Sequence, residues 1–385
     1  MPVPPLFTPR FLVMCGFTFT VFASAFQLFP TAPFHIRDLG GTTFAAGLFL
    51  GLLTYASAFS GPLTGAIADR VGHRRVLLVC SLVISAFSVA YAVAPSPGVM
   101  LALVVPHGMF WSGLMVASGV YVTALVPEER RAEGIGYWGL STVLAVAIAP
   151  NIGFIVYRRG WVVLCGVMLV LNLLMAAIAW SLEELPAPGG ARSPRSSMTL
   201  EWRVLVVSMA VFLYSFGYGG ITSFSAMYAD AEGIAPKAIY LTTVAITILV
   251  SRPFAARLGD IWGYRRVFLP CMLLITLGLT LLPLVPTRGG MILSAAVFGV
   301  GFGTAWPVFV AYMIGRVDPL RRGAAYGAML AALDTGIGTG STALGWIIQR
   351  QGYATAFGVA AMLSAFSVPY FLLADRFVRQ NHQDH

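Results

Sequence analysis

The sequence predicts an all-α, polytopic membrane protein with twelve transmembrane helices in two pseudo-symmetric six-helix bundles. Three observations predict it. First, hydrophobic residues make up 58% of the 385-residue chain, charged residues only 10%, and mean hydropathy is +0.82. A soluble domain carries about 25% charged residues. Second, the apolar runs are continuous over a helix length, as across 76–94. Strands of a membrane β-barrel would instead alternate apolar and polar residues over about 10 positions. At ~20 apolar residues per crossing, roughly twelve spans fit with short loops between them. Third, the chain repeats itself at a register of 191 residues. Asp69, Gly72, Arg74 and Arg75 recur as Asp260, Gly263, Arg265 and Arg266; Arg130 and Arg131 recur as Arg321 and Arg322; Ser60 and Pro62 recur as Ser251 and Pro253. Three matches at one register mark a duplicated unit.

Taken in order, the first span covers 11–33, follows Arg10 and carries Gln27. No small-residue cleavage site stands out, so a retained helix is expected and not a removed signal peptide. His35, Arg37 and Asp38 lie just beyond it. The second span, 44–67, leads into the basic turn 69–75, and the third covers 76–95. The fourth, 99–125, carries His107, which is the His expected inside a span. The fifth and sixth cover 134–157 and 161–181. Segment 183–201 is rich in Pro, Gly, Ser and Arg and reads as a flexible linker. It divides the chain into bundles at 1–182 and 202–385.

The seventh span, 203–228, places Tyr214 and Tyr218 among Gly217, Gly219 and Gly220, which invite a bend. The eighth, 236–258, carries Arg252; the ninth covers 267–286; the tenth, 289–315, carries Trp306. The eleventh, 323–349, carries Asp334, and the twelfth covers 354–375. Gly and Pro within these spans are no obstacle, because neighbouring helices satisfy freed backbone groups and small residues allow close packing.

Orientation follows from the basic residues. With a cytoplasmic N-terminus, seventeen Arg fall on the inner side and six Arg or Lys on the outer side, leaving Arg252 within a span. This bias predicts both termini in the cytoplasm and a location in the cell inner membrane. The pI of about 9.7 does not indicate nucleic acid, because the Arg residues are scattered over short loops and form no single face. Cys15, Cys80, Cys165 and Cys271 lie inside apolar runs without CxxC spacing, so packing residues are expected and neither a metal site nor a disulfide framework. No GxxxxGK[ST] loop exists, which disfavours ATP-driven transport. His35, Arg37 and Asp38 form the nearest thing to a catalytic cluster, at a helix end, and no enzyme activity or cofactor is expected.

Asp334 is the one acidic residue placed deep within a span. A charge there costs ~2.5–3.5 kcal/mol on insertion scales and marks a functional position by default. A carboxyl that is costly to keep charged suits a site that takes up and releases a proton. The competing reading is a hydrogen-bonded structural Asp that holds its helix against neighbours through Gly336, Gly338 and Gly340. Arg252 either snorkels to the interface or partners Asp334 or an anionic substrate. His107 either titrates during the cycle or packs with a hydrogen bond.

The stretch Gly65-Ala-Ile-Ala-Asp69-Arg70-Val-Gly72-His-Arg74-Arg75 resembles the signature loop between helices 2 and 3 of the major facilitator superfamily, and Asp260 to Arg266 is similar to its second copy. The resemblance spans the chain. It implies parallel six-helix repeats, alternating access and a gating role for the loop, beside the plainer reading of positive charge as a topology signal. It also implies a pathway lined by helices 1, 4, 7 and 10, which makes Gln27, His107, Tyr214, Tyr218 and Trp306 candidate substrate contacts beside Arg252 and Asp334. The run Val104-Val-Pro-His107 before Gly108 lacks the Arg of many proton antiporters in the family, and Ala149-Pro150-Asn151-Ile-Gly153 is a degenerate form of the helix-5 exporter motif. Gly301-Phe-Gly303, Arg321-Arg322-Gly-Ala and Asp334-Thr-Gly-Ile-Gly look like the arabinose-efflux-type and metallophore (opine) exporters. The expected function is secondary transport: proton-coupled efflux of a small amphipathic or zwitterionic solute by a monomer in the lipid bilayer. A solute importer of the same fold and a non-transporting sensor are the alternatives.

Overall fold

The computed structural model describes residues 5–127, 130–184, 202–317 and 322–383. These form eleven helices: α1 (Pro9–Asp38), α2 (Thr43–Val71), α3 (His73–Ala92), α4 (Pro97–Leu125), α5 (Arg131–Tyr157), α6 (Trp161–Ser181), α7 (Trp202–Ala231), α8 (Ile239–Trp262), α9 (Tyr264–Leu284), α10 (Arg288–Ile314) and α11 (Arg322–Gln383). Ten contain stretches long and apolar enough to cross a membrane, and α8 is apolar over Ile239–Arg252. Gly352 interrupts α11 with non-helical backbone (φ 84°, ψ 174°) and separates an arm at 322–351 from one at 353–383. The eleventh and twelfth expected spans fall on these two arms. Most of the linker expected at 183–201 lies outside the described residues.

Helices α1, α4 and α10 each start before the expected span, at a residue capped by a side chain. Thr8 Oγ1 accepts from Phe11 N at 3.2 Å and Pro9 occupies the first turn of α1. Ser96 Oγ accepts from Val99 N at 3.4 Å before α4, and Thr287 Oγ1 accepts from Gly290 N at 3.0 Å before α10. These side chains satisfy amide donors that a helix start leaves free. Between α2 and α3, Gly72 turns the chain at φ 102°; between α8 and α9, Gly263 does so at φ 83°. Only glycine adopts such angles without strain, so the repeat keeps glycine at both turns.

By its contacts the chain divides into two compact units, Met1–Gly41 with Tyr55–Gly190, and Thr42–Thr54 with Ala191–His385. In the first unit α1 packs on α5 and α6, while α3 packs on α4 and α6. Phe11, Met14 and Phe17 of α1, Leu77 and Ile84 of α3, and Leu114 of α4 are among its core residues. Gly113 makes room for the Cys80 thiol, and a Cβ at Gly153 would come within 3.1 Å of Gln27 Cα. All four cysteines are free thiols. Large apolar side chains such as Val162, Val170 and Trp180 point outward, as they do where the surrounding solvent is hydrocarbon.

In the second unit α7 packs on α11, α9 on α10 and α11, and α8 on α10. The α7–α11 seam is built from small residues. A side chain at Gly219 would strike the Ile337 carbonyl, and one at Gly340 would strike the Phe216 carbonyl. Ser223 Oγ and Ser341 Oγ hydrogen bond at 2.7 Å, and Ser215 Oγ donates to Leu333 O at 3.2 Å. The glycines of α7 therefore serve close packing, within a helix that is continuous over Trp202–Ala231. Close backbone approach through small residues is a principal source of helix association where lipid offers no hydrophobic drive.

Candidate functional site

Asp334 lies near the middle of the first arm of α11 and is partly exposed. Among the described residues it has neither a hydrogen bond nor an ion pair. On the same arm, Gly336, Gly340 and Ser341 make the seam with α7. Arg252 is also partly buried, and no ion pair joins it to Asp334. The Trp306 ring lies 6.3 Å from that of Tyr326, which is within electrostatic reach of Asp334. Tyr326, which the sequence did not single out, thus pairs with Trp306 and feels the charge of Asp334.

The aromatic residues of α7 form a second group in the same unit. Tyr218 stacks on Phe302 with centroids 4.3 Å apart and planes 20° off parallel, and Phe298 continues the stack at 5.4 Å from Phe302. Tyr214 meets Phe302 edge-on at 6.0 Å, and its buried hydroxyl has no hydrogen-bond partner among the described residues. Phe298 and Phe302 could not have been found from sequence, because an apolar ring inside an apolar run carries no signal of its own.

In the first unit, Gln27 is buried and donates from Nε2 to Ala23 O at 3.1 Å. His107 pairs with Tyr91 across α4 and α3, Nδ1 to hydroxyl, at 3.0 Å. The cluster at the end of α1 is structural in form. His35 stacks on Trp161 at 4.0 Å, Tyr157 donates to the Asp38 carboxylate, and Arg37 donates to Gly41 O at 3.2 Å.

Asp69 has a side chain 73% exposed and lies 3.6 Å from His73, not beside Arg70 or Arg74. Arg74 instead donates to Trp180 O at 2.7 Å and covers the Trp180 ring. Gly65 lies inside α2, where a side chain would meet Val116, and Arg70 lies in the last turn of that helix. The Asp260 side chain lies outside the described residues. Arg265 Nε lies 3.0 Å from Asp375 Oδ2, and Tyr312 donates to the other oxygen of that carboxylate. Among the described residues no group of three or more His, Cys, Asp or Glu side chains could hold a metal ion.

Comparison with known proteins agrees with this architecture. The family model described as Major Facilitator Superfamily matches residues 12–250 and 207–384. An uncharacterized MFS-type transporter of Burkholderia mallei (strain SAVP1) is 27% identical over 375 residues, which cover 94% of this chain and 91% of the relative. The crystal structure of nucleoside transporter NupG superposes with a TM-score of 0.76 at 15% identity, covering 96% of this chain and 99% of that one. That of the human organic anion transporter MFSD10 (TETRAN) does so at 0.73 and 16% identity, covering 96% and 100%. At such identities the structural likeness concerns the fold alone.

Proposed function

Because this chain belongs to the Major Facilitator Superfamily and is a multi-pass membrane transporter, we propose that it works by alternating access as a proton-coupled exporter of a small amphipathic or zwitterionic solute. The observation that carries this reading is Asp334. A carboxyl group in a membrane helix, without a protein partner among the described residues, is expensive to keep and is retained for a task. Its affinity for a proton and for a cationic substrate group are opposed: each neutralises the same charge. Competition between the two is the minimum requirement for antiport. Tyr326, within electrostatic reach of Asp334, and Trp306, which packs on Tyr326, supply aromatic rings in the same unit, which suits an amine-bearing solute.

The remaining assignments follow from the sequence. Twelve spans form two bundles, 1–182 and 202–385, joined by a cytoplasmic linker at 183–201, with both termini in the cytoplasm of a cell inner-membrane protein. Asp69, Gly72, Arg74 and Arg75, with Asp260, Gly263, Arg265 and Arg266, form paired gating loops. Gln27, Tyr214, Tyr218, Arg252 and Trp306 contact substrate, and His107 is the second candidate proton carrier. The efflux direction rests on the motif traces at Pro150 and at 301–338. The test is transport by the purified protein in proteoliposomes across a solute panel, with the pH gradient imposed in either direction. Uphill movement of an amine-bearing solute against proton flow supports the reading. Neither gradient-driven transport nor counterflow for any solute would sink it.

A further inference from the structure

Asn172 of α6 is 1% exposed in the core of the first unit. Its Nδ2 donates to Ser88 Oγ at 2.9 Å, and Ser88 Oγ donates onward to Ile84 O at 3.3 Å. The single Ser88 proton is committed to Ile84, so Ser88 accepts from Asn172, and this fixes which way the amide points. Asn172 Oδ1 is consequently buried with no hydrogen-bond partner among the described residues. A buried acceptor left this way requires an explanation.

A cavity of about 10 Å³ lies against it. Ser24 of α1, His107 of α4 and Asn172 of α6 supply its polar lining, with Ile84, Trp111 and Met175 around them. That volume is about one water-sized sphere. His107 is 5% exposed, and its Nδ1 is taken by the Tyr91 hydroxyl at 3.0 Å, so Nε2 is the ring nitrogen left for the cavity. Phe87 stacks on the imidazole at 5.5 Å, and Trp161 Nε1 donates to Tyr91 O at 2.8 Å, which fixes Tyr91 from a second side. The titratable groups around His107 are Tyr91 and, behind it, the Cys165 thiol; no carboxylate or ammonium group lines this cavity.

We propose that this cavity is a binding site for one water molecule, held by Asn172 Oδ1, His107 Nε2 and Ser24 Oγ. The hydrogen bonds close. The Tyr91 hydroxyl donates to Nδ1, Nε2–H donates to the water, and the water donates to Asn172 Oδ1 and Ser24 Oγ. Three bonds is the usual number for an internal water. The water links α1, α4 and α6 directly, and α3 through Ser88 and Tyr91. His107 is then a positioning residue with a fixed Nε2–H. This leaves the exchanged proton to Asp334, the first of the two candidates on the transport reading above.

The test reads hydration and not transport, so a failure of the transport reading leaves it intact. Solid-state NMR on protein in bilayers with nitrogen-15-labelled histidine identifies the His107 signals by their loss in His107→Gln. The expected result is an Nε2–H tautomer that receives magnetisation from water, with that transfer abolished in Asn172→Leu, whose side chain fills the cavity with apolar atoms. Ser24→Val fills the same space from α1 and gives the same loss if Asn172→Leu fails to fold. Absence of water transfer in the unaltered protein, an Nδ1–H tautomer, or transfer that survives both cavity-filling variants would overturn the proposal.

Discussion

The Tyr312 hydroxyl donates to the carboxylate of Asp375, whose second oxygen lies 3.0 Å from Arg265 Nε. This ties the end of α10 and the start of α9 to the second arm of α11. The first unit holds the corresponding positions 191 residues earlier, at Tyr121, Glu184 and Arg74. There Tyr121 donates to Glu183 O at 2.7 Å and Arg74 to Trp180 O at 2.7 Å. A Tyr and an Arg at matching positions thus make the contacts in both units, once through a carboxylate and once through backbone carbonyls. Asp375→Ala is expected to lower the thermal midpoint of the purified protein, at a cost on the order of 2 kcal/mol, since it removes the carboxylate that a half-buried guanidinium and a hydroxyl share. Tyr312→Phe removes one hydrogen bond and should cost less, about 1 kcal/mol. A thermal-shift series in which Tyr312→Phe is the more damaging would misplace the carboxylate as the centre of the contact.

The α7–α11 seam makes a steric prediction. A Cβ at Gly340 would collide with the Phe216 carbonyl, which is backbone and cannot rotate away. Gly340→Ala should destabilise by about 1–3 kcal/mol, as overpacking does elsewhere. Gly327→Ala, with open space around its Cα, is the matched control on the same helix and should be neutral or slightly stabilising. Equal thermal midpoints for the two variants would mean that the helices do not approach as described.

Asp69 yields a functional prediction. Its exposed side chain and its single 3.6 Å contact with His73 imply that Asp69→Asn folds normally. If the loop acts as a gate, the variant binds substrate with near-normal affinity but turns over roughly tenfold more slowly, a barrier change of about 1.4 kcal/mol. Substrate affinity measured at equilibrium, beside initial transport rates, separates the two effects. Lost affinity with a normal turnover rate would remove Asp69 from the gate.

Topology can be read with thiol chemistry. The four native cysteines sit inside helices α1, α3, α6 and α9, so a background without accessible thiols is attainable. Cysteine introduced at Thr287, between α9 and α10, should react with a membrane-impermeant reagent applied to intact cells, whereas cysteine at Ser196 in the linker should not. The reverse labelling pattern would invert the orientation derived from the Arg distribution.

How much of this was legible in the sequence depends on the kind of signal. Continuous apolar runs announced the helices, and the positive-φ turns at Gly72 and Gly263 were legible because glycine recurs at both. The Tyr312–Asp375 contact was legible in principle, since Tyr121 and Glu184 lie at the repeat register, but the tyrosines looked like ordinary apolar-run residues. The break at Gly352 merges two expected spans into one element because no loop separates them. The α7 glycines suggested bending, because sequence cannot distinguish a weak helix from one packed tightly against Gly336 and Gly340. Asn172 gave no warning: a lone amide in an apolar run becomes informative only when its partner, Ser88, and its orphaned oxygen are both in view.

Asp334 carries the central claim, and its removal as a titratable group tests that claim most directly. The measurement is substrate transport in proteoliposomes, with and without an imposed pH gradient, comparing the unaltered protein, Asp334→Asn and His107→Gln. Asp334→Asn keeps the shape of the side chain but can no longer exchange a proton. The account predicts that it loses gradient-driven uphill transport while retaining some downhill exchange, and that His107→Gln, though slower, still responds to the gradient. Full proton-driven accumulation by Asp334→Asn, or loss of coupling in His107→Gln alone, would contradict it.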